Sequence, residues 1–296
     1  MRENVSYYDE ILFAIGQQRS AEAAKASFST LNEAEFRVFS QWGEDGIIQY
    51  LIGQVAIEND TFVEIGVANY REANTRFLLM KDNWRGLIVN AGADHIEFLN
   101  SSGMRWKHEV DAVSRFVTRE NVNEIIYSGG FTGDVGLLSI DIDGNDYWVW
   151  ESVDVIAPRI LIIEYNSLFG ARFPISVPYD PSFSVEKAHW SQLYFGASMP
   201  ALCHLAERKG YRLVGSNRDG CNAFFVRDDV IGSLRPVTAD EAYVESRFRS
   251  SRDEAGNPSY VTSHEQRRRL IASLDVCDVT TGDVSSIGGL FGLPSP

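Results

Sequence analysis

The chain has 296 residues, 44% hydrophobic and 23% charged, an ordinary globular composition long enough for one large core with appendages or for two small domains. A formal net charge of −14 gives a surface that repels nucleic acid and anionic membranes, which leaves a small molecule or another protein as the partner class to expect. Cys203, Cys221 and Cys277 are odd in number and form no CxxC pair, and the five histidines form no HxH or HxxxH. A disulfide framework and a zinc cluster are therefore excluded, and any metal would be a hard ion such as magnesium or manganese held by oxygens.

No apolar run approaches the ~18 residues of a membrane helix. The opening, MRENVSYYDEILFAIGQQRS, lacks the basic-then-apolar order of a signal peptide, so a cytoplasmic protein is the expectation. Residues 1–57 form a helical extension by apolar spacing in YYDEILFAIGQQ and DGIIQYLIGQV, with Gly43 and Gly46 marking a turn between. Strand and helix signals then alternate. TFVEIGV (61–67), RGLIVNAG (85–92), MRWKHEVDAV (104–113), VGLLSIDID (135–143) and PRILIIEYN (158–166) read as strands. NTRFLLMKDN (74–83), HIEFLNSSG (95–103), TRENVNEIIYSG (118–129, with Thr118 as N-cap) and YWVWESV (147–153) read as the helices between them.

A polar and aromatic insertion, residues 167–198, follows the fifth strand. MPALCHLAERKG (199–210) is a helix with Cys203 in its core face and His204 toward solvent. YRLVGSN (211–217) and CNAFFVRDD (221–229) form a hairpin. Beyond residue 235 the chain reads as a polar extension, weakly helical around Arg267-Arg268-Arg269 and loop-like to its end. Five βα units and a terminal hairpin make a mostly parallel α/β sheet with helices on both faces, occupying residues 58–235. Ligands of such sheets bind at the carboxyl ends of the strands. That singles out Glu64, Asn90, Asp111, Asp141, Asp143, Glu164 and Asn166.

Alternation puts Asp141 and Asp143 on one face of their strand and Glu164 and Asn166 on one face of the next, close enough to converge. DIDGND is also good turn chemistry, with Asp146 suited to cap the helix that follows. A strand-end carboxylate such as Asp141 needs a partner if it is buried.

FVEIGVANYREANTRFLL, SQWGEDGII, LLSIDIDGNDYWVW, VPYDPSFSVEKAHWSQLYFGAS and GCNAFFV together resemble the class I S-adenosylmethionine-dependent methyltransferases. The branch is the FkbM-like and sugar or polysaccharide O-methyltransferase-like one, and the resemblance spans roughly residues 38–230. It implies a doubly wound, Rossmann-like, seven-stranded sheet with an antiparallel terminal hairpin. It also implies S-adenosylmethionine held by Glu64, Gly66, Asn90 and Asp111. The position of Asn90 ordinarily carries an acid that accepts two ribose hydroxyls, and EIGVANY keeps a single glycine where the motif is usually rich in them.

An oxygen set of Asp141, Glu164 and Asn166 is similar to that of metal-dependent O-methyltransferases and would suit Mg2+. Without a metal, Asp141, Asp143 or His189 would be the general base. Tyr179, Lys187, Trp190 and Tyr194 in the insertion are candidate substrate contacts.

Three functions fit these residues. The first is an O-methyltransferase acting on a hydroxyl of a sugar, glycan or secondary metabolite. The second is a methyltransferase-fold enzyme that has lost its cofactor and uses the carboxylates for cyclisation or elimination on a natural-product precursor. The third is a non-catalytic partner subunit. A homo-oligomer or a protein partner is compatible with each.

Overall fold

Apolar runs rich in Val, Ile and Leu build the centre of a seven-stranded sheet. In chain order the strands are β1 (Thr61–Ile65), β2 (Arg85–Asn90), β3 (Val110–Ser114), β4 (Gly133–Ile140), β5 (Ile156–Glu164), a short β6 (Ile175–Ser176) set apart from this sheet, β7 (Tyr211–Ser216) and β8 (Asn222–Arg227). The computed structural model describes residues 7–293, so the polar opening of the N-terminal extension and the last three residues lie outside the described part.

The spatial order is β3-β2-β1-β4-β5-β8-β7. The first five strands are parallel, and β8 runs antiparallel to both β5 and β7. This is the doubly wound, Rossmann-like sheet with an antiparallel terminal hairpin that the sequence led us to expect.

Strand alternation feeds two cores. Val63, Ile65, Val89, Leu138, Ile140, Leu161 and Ile163 pack on one face, under the helices Val122–Ser128, Asp146–Ser152 and Met199–Lys209. Phe62, Ile88, Leu137, Ile160 and Ile162 pack on the other, under Glu44–Gln54, Arg76–Asp82 and Asp94–Ser102. Because both faces are covered, the strand interiors read as continuous apolar runs, and polar residues are displaced to the strand ends.

Several boundaries differ from expectation. The third strand does not begin at Met104: Met104–Lys107 is a helical turn following left-handed Gly103, and β3 starts at Val110. Asp111 is therefore the second residue of β3, exposed and paired in register with Leu87, at the amino end of the strand. Thr118 is not the cap of its helix, which starts at Val122 behind Asn121; the Asn121 side chain instead accepts the Thr118 N–H at 2.8 Å. Gly43 precedes the helix Glu44–Gln54, but Gly46 lies within it, where a Cβ would stand 2.1 Å from the Ala34 carbonyl oxygen; it serves close approach, not a turn.

The largest correction concerns the C-terminal stretch. It is not a trailing loop. Strands β9 (Asp275–Asp278) and β10 (Val284–Ser286) join β6 of the insertion in a three-stranded sheet, order β10-β9-β6. Leu168, Phe169 and Tyr194 of the insertion share one core with Ile271, Val276 and Ile287. Within the helix His264–Leu270, Arg267 is buried and Arg268 donates to the Leu168 carbonyl, so this basic run ties the two segments together. Among the described residues no helix is long and apolar enough to cross a membrane.

Candidate functional site

The carboxyl ends of the central strands open into a cavity of about 690 Å³. Its walls include the turn after β1, the loop after β4, the insertion after β5 and a C-terminal strap over the mouth.

The turn after β1 is built around Glu64. Both carboxylate oxygens are occupied, one by the Asn74 N–H at 2.8 Å and the other by the Thr75 N–H at 3.1 Å and the Thr75 hydroxyl. Glu64 thus folds the segment 66–75 back onto the sheet. Burial, partly offset by these donors, pushes its pKa up to about 7. Gly66 has φ +94°, and a Cβ there would fall 1.5 Å from the Asp141 carbonyl oxygen, so the β1 and β4 ends approach as only glycine allows. Ala68 and Tyr70 follow at alternate positions, also with positive φ (43° and 60°). The chain therefore keeps a glycine-type backbone path without the glycines. Tyr70 is fully buried and its hydroxyl meets Thr75 Oγ1 at 3.0 Å, which holds the path in place.

Asn90, at the end of β2, lines the cavity and donates its Nδ2 to the Ala68 carbonyl at 3.2 Å. Its Oδ1 has no hydrogen bond among the described residues and is left as one acceptor. Asp111 does not reach the cavity. The cavity-facing residues after β3 are Arg115, Phe116 and Val117.

The loop after β4 carries the acidic centre. Ile140 pairs with Ile163, and continuing that register sets Asp141 opposite Glu164. Asp143 joins them from a left-handed conformation, φ 51°, which Asp tolerates better than most residues. Each of Asp141, Asp143 and Glu164 offers an oxygen, and these lie within 4.8 Å of one another. The Glu164 Oε2 is buried with no hydrogen-bond partner. No basic side chain forms an ion pair with any of the three among the described residues. Burial, then Asp143, Asp146, Glu44 and Glu64, raise Asp141 well above the usual carboxylate range. Burial, then Asp141, Asp143 and Asp146, do the same to Glu164, and desolvation of the carboxyl group followed by Glu186 raises Asp143, although that residue is exposed overall.

Asp146 does not cap the helix it begins. Its two oxygens reach back to the Ile142 and Gly144 N–H groups at 2.8 and 2.9 Å, closing the loop that presents Asp141 and Asp143. Asn166 does not join the trio: its Nδ2 donates to the Leu193 and Phe195 carbonyls, and its Oδ1 accepts the Leu168 N–H. Bonded to backbone at both ends of its amide and absent from the cavity lining, Asn166 pins the insertion instead.

The insertion walls the cavity, but not through the residues expected. Phe183, Val185, Glu186, Gln192 and Phe195 line it. Tyr179 lies outside, bonded to Glu120 with the Arg119 guanidinium over its ring. Tyr194 is in the core shared with the C-terminal stretch, with its hydroxyl on the Asp275 carbonyl. His189 bonds Ser191 at 2.7 Å and packs against Trp190, away from the carboxylates, while Lys187 is exposed. None of these five side chains lines the cavity.

Other lining residues carried weaker sequence signals. Asn222 opens β8 opposite Glu164 and bonds Glu44 at 2.9 Å, leaving its buried Oδ1 unpartnered. Glu44 also accepts the Trp42 and Gly43 N–H groups, which sets Trp42 at the mouth. The hint was SQWGEDG, whose acids are buried and accept backbone N–H groups: Asp45 takes those of Val38, Phe39 and Ser40.

No protein-family model matches this sequence, and no curated protein does. Among solved structures, an O-methyltransferase family protein from Burkholderia thailandensis aligns over 74% of this chain and 58% of its own, with 9% identity and a TM-score of 0.36. The O-methyltransferase NcsB1 of neocarzinostatin biosynthesis, in complex with S-adenosylmethionine and 2-hydroxy-5-methyl naphthoic acid, aligns over 57% and 49%, with 14% identity and a TM-score of 0.34. The N-terminal domain of EvdMO1, in the presence of SAH and D-fucose, aligns over 75% and 96%, with 9% identity and a TM-score of 0.39. This chain thus spans about half the length of the first two.

Proposed function

We propose that this chain is an enzyme that transfers a methyl group from S-adenosylmethionine to a hydroxyl of a sugar, a glycan or a secondary metabolite. One observation carries this reading: the turn after β1 and the Asp141–Asp143–Glu164 trio open into the same cavity. A wall suited to a donor stands beside groups suited to an acceptor hydroxyl.

The donor side fits S-adenosylmethionine at named atoms. Backbone of Gly66 and Ala68 lines the cavity, and Asn90 Oδ1 offers one acceptor for a ribose hydroxyl. Glu64 acts through the turn it holds, because its own oxygens are occupied. When bound, the cofactor supplies an electrophilic methyl group.

On the acceptor side, Asp141 and Glu164 are the bases. A carboxylate raised by burial and like-charged neighbours takes up a proton near neutral pH more readily than an exposed one. The three-carboxylate set with an orphaned Glu164 oxygen also fits a hard divalent ion, and magnesium there would supply positive charge beside the acceptor hydroxyl. The cavity walls hold the acceptor in line, and such positioning contributes a large part of catalysis.

Calorimetric titration with S-adenosylmethionine and S-adenosylhomocysteine tests the reading. Saturable binding is expected, and no heat at millimolar ligand would overturn it. One observation favours a second reading: no carboxylate stands at the end of β2. In that case the trio would act on a natural-product precursor without a donor, and cofactor-free turnover would be lost in Asp141→Ala and Glu164→Ala.

A further inference from the structure

The segment from Val244 to Val261 crosses the mouth of the cavity as a strap with no helix or strand, apart from an isolated bridge between Arg252 and Pro258. It is nonetheless tied down. Ser246 Oγ meets Ser167 Oγ at 2.8 Å, fully buried Ser251 meets Ser259 Oγ at 2.8 Å, and the Arg252 N–H donates to the Ser191 carbonyl at 3.1 Å. Between these anchors, Phe248, Ser250 and Arg252 occur at alternate positions, and all three line the cavity. Phe248 stacks on Trp42 with ring centroids 5.3 Å apart and planes 21° apart, which joins the strap to the loop held by Glu44.

Acids outnumber bases in the lining. Glu64, Glu72, Asp141, Asp143, Glu164 and Glu186 are the acids, and Arg115 and Arg252 the bases. Arg115 is paired with Glu124 at 3.6 Å. Arg252 is half-buried and has no ion pair and no side-chain hydrogen bond among the described residues, although the protein carries a net charge of −14. Arg247 and Arg249 precede it on the same strap, exposed and equally without ion pairs among the described residues, and Asp253 and Glu254 follow it. Arg252 is thus an unpaired cation in a lining that is mostly acidic, on a strap that also carries Glu245, Asp253 and Glu254. A guanidinium with its fork unused is a receptor for a planar or tetrahedral anion.

We infer that the acceptor carries an anionic group, a carboxylate or a phosphate, gripped by Arg252 on the strap while its hydroxyl meets the Asp141–Glu164 floor. The inference rests on the reading of the cavity as an acceptor site and narrows the class of acceptor. A neutral sugar would leave Arg252 without a partner. An acid gives Arg252 a partner, with its anionic end on the guanidinium and its hydroxyl end toward the carboxylates.

The test uses two matched pairs of probes on the full chain: 3,4-dihydroxybenzoate against 3,4-dihydroxybenzamide, and glucose 6-phosphate against glucose. Binding is measured by calorimetry to the wild type, Arg252→Gln and Arg252→Lys. At least one acid should bind the wild type about tenfold more tightly than its neutral twin, and the preferred pair tells carboxylate from phosphate. Arg252→Gln should abolish that preference, and Arg252→Lys should keep part of it. Equal binding of acid and neutral twin in both pairs, no binding of either acid at millimolar concentration, or a preference unchanged in Arg252→Gln would overturn the inference. S-adenosylhomocysteine binding measured on the same wild-type sample keeps the two readings apart. Its absence would remove the methyl donor while leaving an Arg252-dependent preference for acids standing.

Discussion

Two glutamates sit at equivalent ends of parallel strands in one sheet and live in opposite conditions. Glu64 ends the working part of β1 with three donors on its two oxygens, and it holds a turn. Glu164 ends β5 with a buried oxygen that no donor meets, beside Asp141 and Asp143. Residue type and place in the fold are alike, and each has a buried carboxylate oxygen, although Glu64 is the more deeply buried residue. What differs is whether the chain supplies the hydrogen bonds or leaves them to something else. A buried carboxylate with its donors satisfied is a piece of architecture, and one without them is a charge waiting for a proton, an ion or a substrate.

The widest separation between the two should come from paired substitutions. Glu164→Gln and Asp141→Asn are expected to lower turnover by about a hundredfold or more while leaving the unfolding midpoint unchanged or raised, because each relieves repulsion in the trio. Glu64→Ala should do the reverse in kind. It leaves the Asn74 and Thr75 N–H groups without acceptors and should cost about 3 kcal/mol of stability, read from urea unfolding. If Glu164→Gln unfolds the protein as readily as Glu64→Ala, the distinction collapses.

A smaller effect should appear with pH. Glu64 is raised from 4.5 to about 7 and Asp146 from 3.8 to about 6, and Asp141 and Glu164 are raised in the same direction by burial and by their acidic neighbours. Each binds a proton more tightly folded than unfolded. Their contribution is present below the unfolded values and is lost as pH rises through the folded ones. The protein should therefore melt at a higher temperature at about pH 5.5 than at about pH 8, within the window these shifts define. Excess Mg2+ should restore part of the loss at the higher pH in the wild type and not in Glu164→Gln. A melting temperature that climbs from the lower to the higher pH would contradict the picture of an uncompensated acidic floor.

The smallest effect belongs to the turn that Glu64 holds. Ala68 keeps φ at 43° in a region that favours glycine, so Ala68→Gly should be neutral or stabilise by up to about 1 kcal/mol. Loss of several kcal/mol would mean that the methyl group packs in a way the backbone strain does not reveal.

The architecture was legible in the sequence wherever one element could be read from its own residues. Buried parallel strands are continuous apolar runs, so β1, β2, β4 and β5 stood out, and the strand-end acids followed from them. Gly103 and Gly210 marked helix ends because left-handed closure is a local demand. Asp141 and Glu164 could be paired in advance because a parallel register is nearly forced once two strands are adjacent.

Tertiary structure decided what depends on distant partners. Asp111 and Asp143 are both acids near strands, yet a helical turn at Met104–Lys107 moved Asp111 to the wrong end of β3. Asn166 looked like a ligand until the insertion folded back and took both ends of its amide. Strands of two to four residues carry too little periodicity to announce themselves, so the sheet joining β6 to β9 and β10 was invisible until the C-terminal stretch met the insertion. Arg252 lies 88 residues beyond Glu164 in the numbering, yet both line one cavity, a relation that no local pattern encodes. Sequence determined which groups would be acidic, buried and at the mouth of the sheet. Only the fold decided which of them would be satisfied, because a hydrogen-bond partner is chosen by proximity in space and not by spacing along the chain.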